Sequence, residues 1–111
     1  MKTEIKFRGL RKDNGKMTYG DLSRLVIGGN IKHYIKMLDS PLHRINKDTL
    51  SQFTGLKDIK GIEIYAGDVV YLAGYGDYVC EFPFIELYEA ANEGDIEHIK
   101  GNIYQNPELN D

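Results

Sequence analysis

A chain of 111 residues with 41% hydrophobic content has the size and composition of one globular domain, and no stretch of it is apolar enough to cross a bilayer. Cys80 is the single cysteine, so neither an internal disulfide nor a thiolate metal cage can form. A net charge of −3 argues against a general nucleic-acid binder held by counterion release. The opening Met1-Lys2-Thr3-Glu4-Ile5-Lys6 lacks the apolar run of a signal peptide, and a cytoplasmic protein is expected.

Glu4 to Leu10 alternates polar with apolar residues, which predicts a strand with Ile5 and Phe7 on its core face and Lys6 and Arg8 in solvent. Asp13-Asn14-Gly15 supplies a turn, and Met17 to Tyr19 returns as the second strand of a hairpin. Leu25-Val26-Ile27 and Ile31 to Leu38 are β-rich runs on either side of Gly28-Gly29-Asn30, a second hairpin closed by Asp39-Ser40-Pro41. Ile31, Ile35 and Leu38 also fit helical spacing, but the preceding glycines and the β-branched content favour strand. Asp48 to Phe53 is too short for a stable helix and supports one turn or a short strand. Gly55, Asp58, Gly61 and Gly67 then punctuate the chain as turn and bulge residues, with Ile62 and Ile64 alternating between them. Val69 to Leu72 and Tyr78 to Ile85 form a third antiparallel pair, its end weakened by Pro83. Glu89 to Asp95 reads as an acidic loop or one helical turn and Ile96 to Ile99 as a short strand, with Asn106-Pro107 ending the pattern. Eight tyrosines and glycine-rich turns at regular spacing complete the expectation of a mostly β fold, a small antiparallel barrel or sandwich with little helix.

Charge is not spread evenly along the chain. Residues 1–60 hold 13 basic and 6 acidic side chains, a net of +7, whereas residues 61–111 hold 1 and 11, a net of −10. Glu81, Glu86, Glu89, Glu93, Asp95 and Glu97 follow one another with no basic residue among them. This asymmetry is itself a candidate functional feature.

Three stretches together resemble the YopX family of phage and prophage proteins. They are Glu4-Ile5-Lys6-Phe7-Arg8-Gly9 with Lys16-Met17 and Tyr19-Gly20; Gln52 to Asp58 running through Gly61, Glu63-Ile64-Tyr65 and Gly67-Asp68-Val69-Val70; and Gly101-Asn102-Ile103-Tyr104 with Asn106 to Leu109. The central order of Gln52, Thr54-Gly55, Asp58, Gly61 and Gly67-Asp68 is the most specific part, and Lys60-Gly61 stands where relatives often carry a polar residue before glycine. The resemblance implies one YopX-like domain over residues 1–111, with N-terminal hairpins in 1–47 and a motif-bearing, barrel-like part in 48–111. It further implies a phage or prophage origin, residence in a bacterial host cell, and self-association. It supplies no reaction.

Read as chemistry, the individual residues point to structure. His33, His43 and His98 have no spacing to one another or to Cys80 that preorganises a metal site, so no metal is expected. Cys80 alternates with Tyr78 and Phe82 as a small buried strand residue. Gly55, Gly61 and Gly67 lack the spacing and following helix of a phosphate-binding loop, so no cofactor is expected. Asp58 and Asp68 form a candidate carboxylate pair, but an aspartate in such turns commonly caps backbone amides. Gln52, Thr54, Gly55, Asp58, Gly61, Gly67, Asp68, Gly101 and Asn102 are accordingly read as structural, and no enzyme is expected.

Two surfaces remain. Lys6, Arg8, Arg11 and Lys12, with Lys2 and Lys16, form a candidate contact for nucleic acid or a partner, weakened as a single-strand platform because Phe7 faces away from them. Glu86, Glu89, Glu93 and Asp95 form a candidate acidic partner surface. The leading expectation is an accessory protein that acts by binding and forms a homo-oligomer. The rivals are nucleic-acid binding in phage replication or gene control, and inhibition of a host protein through the acidic surface.

Overall fold

Two adjacent glycines organise the longest ladder of the chain. Gly28 and Gly29 take φ values of 59° and 81°, the two positive angles that a two-residue hairpin turn needs. They join β2 (Met17–Ile27) to β3 (Asn30–Lys36), which pair antiparallel from Asp21↔Lys36 to Ile27↔Asn30. The computed structural model describes residues 6–37 and 41–110; the expectations placed on Lys2, Glu4, Ile5, Leu38, Asp39 and Ser40 lie outside them.

Contacts divide the chain into two compact units, residues 1–52 and 53–111. In the first, β1 (Phe7–Leu10) pairs with β2, β3 pairs with β4 (His43–Arg44), and the start of β5 (Ser51–Lys57) pairs with β1 through Phe7↔Gln52 and Arg8↔Ser51. A single 3-10 turn over Lys47–Thr49, capped by the Asn46 side chain, leads into β5. Among the described residues its interior is thin: Ile35 and Ile45 are the large buried apolar residues, beside buried Arg8, Thr18, Thr49 and Ser51. Burial of Arg8 corrects the expectation of a solvated Arg8 opposite a core-facing Phe7, for Phe7 is only half-buried. β1 is an inner strand between β2 and β5, and alternation alone does not decide which of its two faces is covered.

In the second unit β5 continues and pairs with β6 (Glu63–Tyr65), with a bulge at Gly55 that lets Phe53 oppose Tyr65 and Lys57 oppose Glu63. β7 (Asp68–Leu72) is the central strand of a second sheet, flanked by β8 (Gly76–Val79) and β9 (Ile96–Asn102). Helix α1 (Ile85–Glu93) supplies Leu87 and Ala90 to a core made with Ile64, Val70, Leu72, Cys80 and Phe84. The fold is mostly antiparallel β, as the sequence implies, but the sheets have open edges and do not close into a barrel. The third hairpin stops at Val79 rather than Ile85, and the segment expected to hold an acidic loop or one helical turn, Glu89 to Asp95, is entered by a nine-residue helix that begins at Ile85. Leu87, Ala90 and Ala91 explain the helix: they give it an apolar stripe at three- and four-residue spacing, and Gly94 ends it in a left-handed cap.

Gly67 sits where β6 turns into β7. Its φ is +86°, and a Cβ there would lie 2.6 Å from Cε2 of Tyr104, so the position excludes a side chain on two counts. Gly67→Ala is expected to lower the unfolding free energy by about 2 kcal/mol. A urea-unfolding midpoint unchanged from the parent protein would refute this.

Candidate functional site

The central motif is spent on holding the backbone together. Asp58, nearly fully buried, accepts from the amides of Lys60 (2.8 Å) and Ile62 (2.9 Å) with Oδ1 and from Ile99 (3.3 Å) with Oδ2. Burial alone would push its carboxyl up, but these amides and the Lys60 charge together hold it below the usual aspartate range. Asp68, deeper still, accepts from the amide of Tyr65 at 2.8 Å. Asp58 thus binds the amides of its own turn and of Ile99, and Asp68 the amide of Tyr65. Thr54 donates its hydroxyl to the Ile64 carbonyl (2.7 Å), while its own carbonyl accepts from Tyr88 (2.8 Å). Asn102 accepts from the amides of Tyr104 and Gln105 with Oδ1 and donates Nδ2 to Gln105, closing the C-terminal turn, and Asn106 Oδ1 packs where a Cβ on Gly101 would go. Gly61 closes the Asp58 turn through its amide, and Gln52 is an exposed strand residue.

The basic candidates separate. Arg8 is buried, and Arg11 places its guanidinium fork on Asp13, with Nε at 2.9 Å from Oδ1. Lys6 is half-buried at the start of β1. Lys12 alone of the four lines a cleft of about 290 Å³, together with Ile31, Lys32, His33, Arg44, Ile45, Asn46, Lys47 and Asp48. Four cations and one carboxylate line that cleft, and among the described residues no salt bridge engages Lys12, Lys32, Arg44 or Lys47. Sequence reasoning missed Lys32, Arg44 and Lys47 because they lie far apart in the chain. Pairing of β3 with β4 and a backbone bond from Lys12 to the Arg44 carbonyl (2.9 Å) bring the segments together.

The acidic candidates do converge. Glu86, Glu89 and Glu93 recur at helical spacing on α1, and with Asp95, Ala73, Tyr75 and Ala90 they line a groove of about 170 Å³. Glu86 also accepts from the Tyr78 hydroxyl at 3.2 Å; burial and this carboxylate push that hydroxyl up to about 12. The histidines are dispersed: His33 lines the basic cleft, His43 lies in β4, and His98 stacks on Tyr71 with ring centres 6.0 Å apart. Cys80 is buried in the core of the second unit.

The Asp58 carboxylate carries a pH signature. Its folded pKa is lower than in the unfolded chain, so its stabilisation is present in full above the unfolded value near about 3.9 and fades as the pH falls through the lower folded value. Asp58→Asn keeps one acceptor but removes the charge and the second oxygen. The variant is expected to unfold at lower urea at pH 6 to 7 and to show a shallower loss of stability on acidification below about pH 4.5. Parallel stability–pH curves for the two proteins would refute the assignment.

Compared with known proteins, the chain matches no curated protein and no solved structure. The family model described as YopX protein matches residues 6–89. That span includes β1, the whole central motif and the opening turn of α1, and the chain belongs to the YopX family.

Proposed function

We propose that the chain is a phage- or prophage-encoded accessory protein that acts by binding rather than catalysis, and that its copies associate head to tail. One observation carries the reading: the charge division of the sequence coincides with the division into compact units. Residues 1–52 hold 11 basic and 5 acidic side chains, net +6, and residues 53–111 hold 3 and 12, net −9. A surface from one unit of one copy is electrostatically complementary to the other unit of the next, and such contacts between unlike surfaces close into rings or continue as filaments. Exposed apolar residues occur in both units, Val26 and Ile31 in the first and Tyr75, Phe82 and Ile85 in the second, so an encounter steered by charge also has apolar area to bury.

Static light scattering over a protein-concentration series at several ionic strengths tests this. The average mass is expected to exceed that of the monomer at low salt and to fall toward it as the screening length shrinks from about 10 Å at 0.1 M to about 3 Å at 1 M. A monomer at every concentration and ionic strength would sink the reading.

A further inference from the structure

We propose that the basic cleft and the β2–β3 hairpin arm of the first unit form a binding site for duplex DNA. The cleft takes the phosphate backbone and the arm enters the major groove. The site goes beyond the head-to-tail reading and needs only residues of one unit.

The cleft supplies the electrostatics. Lys12, Lys32, Arg44 and Lys47 face a single carboxylate, Asp48, and carry no salt bridge among the described residues. A chain of net charge −3 gains nothing from general attraction to a polyanion, so binding depends on a local concentration of cations such as this one. The ring missing from the cleft chooses between nucleic acids. Single-strand sites combine a basic groove with aromatic platforms for the bases, and His33 is the one ring in this lining.

The arm supplies the second component. Beyond His33, whose carbonyl accepts from the Ile45 amide at 3.0 Å, β2 and β3 continue as a two-stranded ribbon through Leu25↔Lys32, Val26↔Ile31 and Ile27↔Asn30. A lone ribbon is marginal in water, and this one exposes Val26 by 73% and Ile31 by 63% as direct cross-strand partners. The major groove, about 12 Å wide, admits a two-stranded ribbon, and thymine methyl groups there offer apolar contacts to residues such as Val26 and Ile31. Ile31 belongs both to the ribbon and to the cleft wall, so a backbone seated on the cations borders the groove that the arm enters. Arg24, exposed at the base of the ribbon opposite His33, adds a further cation.

Fluorescence anisotropy of a labelled, A·T-rich duplex of about 20 base pairs, roughly two helical turns, tests the proposal with the full chain. The duplex is expected to bind at low salt, to outcompete a single strand of the same sequence, and to show a log–log salt slope of about −3 to −4 for four neutralised phosphates. Lys32→Glu with Arg44→Glu is expected to weaken binding at least tenfold and flatten the slope. Val26→Ser with Ile31→Ser is expected to weaken it several-fold with the slope unchanged. Circular dichroism checks the fold, and Lys12→Glu with Lys47→Glu, both outside the strands, substitutes for the first pair if that variant is unfolded. No binding at low salt, or full binding by a folded cleft variant, overturns the proposal. If DNA does not bind while the cleft variant loses self-association, the cleft belongs to the neighbouring copy. The inference then fails and the head-to-tail reading stands.

Discussion

Three backbone amides converge on the buried carboxylate of Asp58, and the architecture of the second unit hangs on that convergence. Lys60 and Ile62 are local and close the turn, whereas Ile99 is an amide of β9, far along the chain. The same side chain therefore shapes a loop and tethers it to an edge strand of the β8-β7-β9 sheet. Asp68 repeats the device one turn later by accepting from Tyr65 at the start of β7. Buried ionised groups are costly unless hydrogen bonds replace their water. Here backbone donors do so, and the loops that join strands become as fixed as the strands themselves. Ile64, Val70 and Leu72 can then pack against Leu87 and Ala90 of α1 in one register.

This use of polar residues bears directly on function. Thr54, Asp58, Asp68 and Asn102 are the side chains of the family motif with chemistry to offer, and each one is occupied in bonds to backbone or to a neighbouring turn. Reactivity requires a group whose lone pairs or protons are available to a substrate, in reach of others similarly available. These side chains of the motif serve the fold, and the exposed cations of the basic cleft and the carboxylates of α1 lie outside it.

Much of the fold was legible because its signals are local. Gly28-Gly29 announces a hairpin turn wherever it sits, Gly67 and Gly55 mark positions where the chain needs special backbone angles, and the apolar, β-branched run Val69-Val70-Tyr71-Leu72 marks β7. Helix α1 was illegible as a helix because Pro83 and the run of glutamates mask a short apolar stripe. Leu87 and Ala90 acquire meaning only from the core they enter. Arg8 misled in the opposite way: alternation placed it in solvent, but the face of β1 that carries it is the buried one. Of the candidate surfaces, the acidic one was readable because Glu86, Glu89, Glu93 and Asp95 lie close together in the chain. The basic cleft was not, since Lys12, Lys32, Arg44 and Lys47 meet only through the pairing of β3 with β4 and the turn beside them.

The distribution of charge then has a cost that folding alone does not explain. With 14 basic and 17 acidic side chains, the chain has carboxylates enough to pair every cation it owns. Instead the first unit keeps 11 basic residues against 5 acidic ones, and the second keeps 12 acidic against 3 basic. Like charges held together oppose the compact state of each unit, and the thin interior around Ile35 and Ile45 leaves the first with little to offset them. The second unit is relieved in part, because Tyr78 holds Glu86 and Lys100 reaches Asp77 at 2.8 Å. In the first unit Arg11 is relieved by Asp13, but among the described residues no salt bridge relieves the cleft cations. An unpaired cluster of cations beside a ribbon of exposed valine and isoleucine is stable only at the expense of the fold. A polyanionic surface, whether supplied by another copy or by a different molecule, removes both liabilities at once.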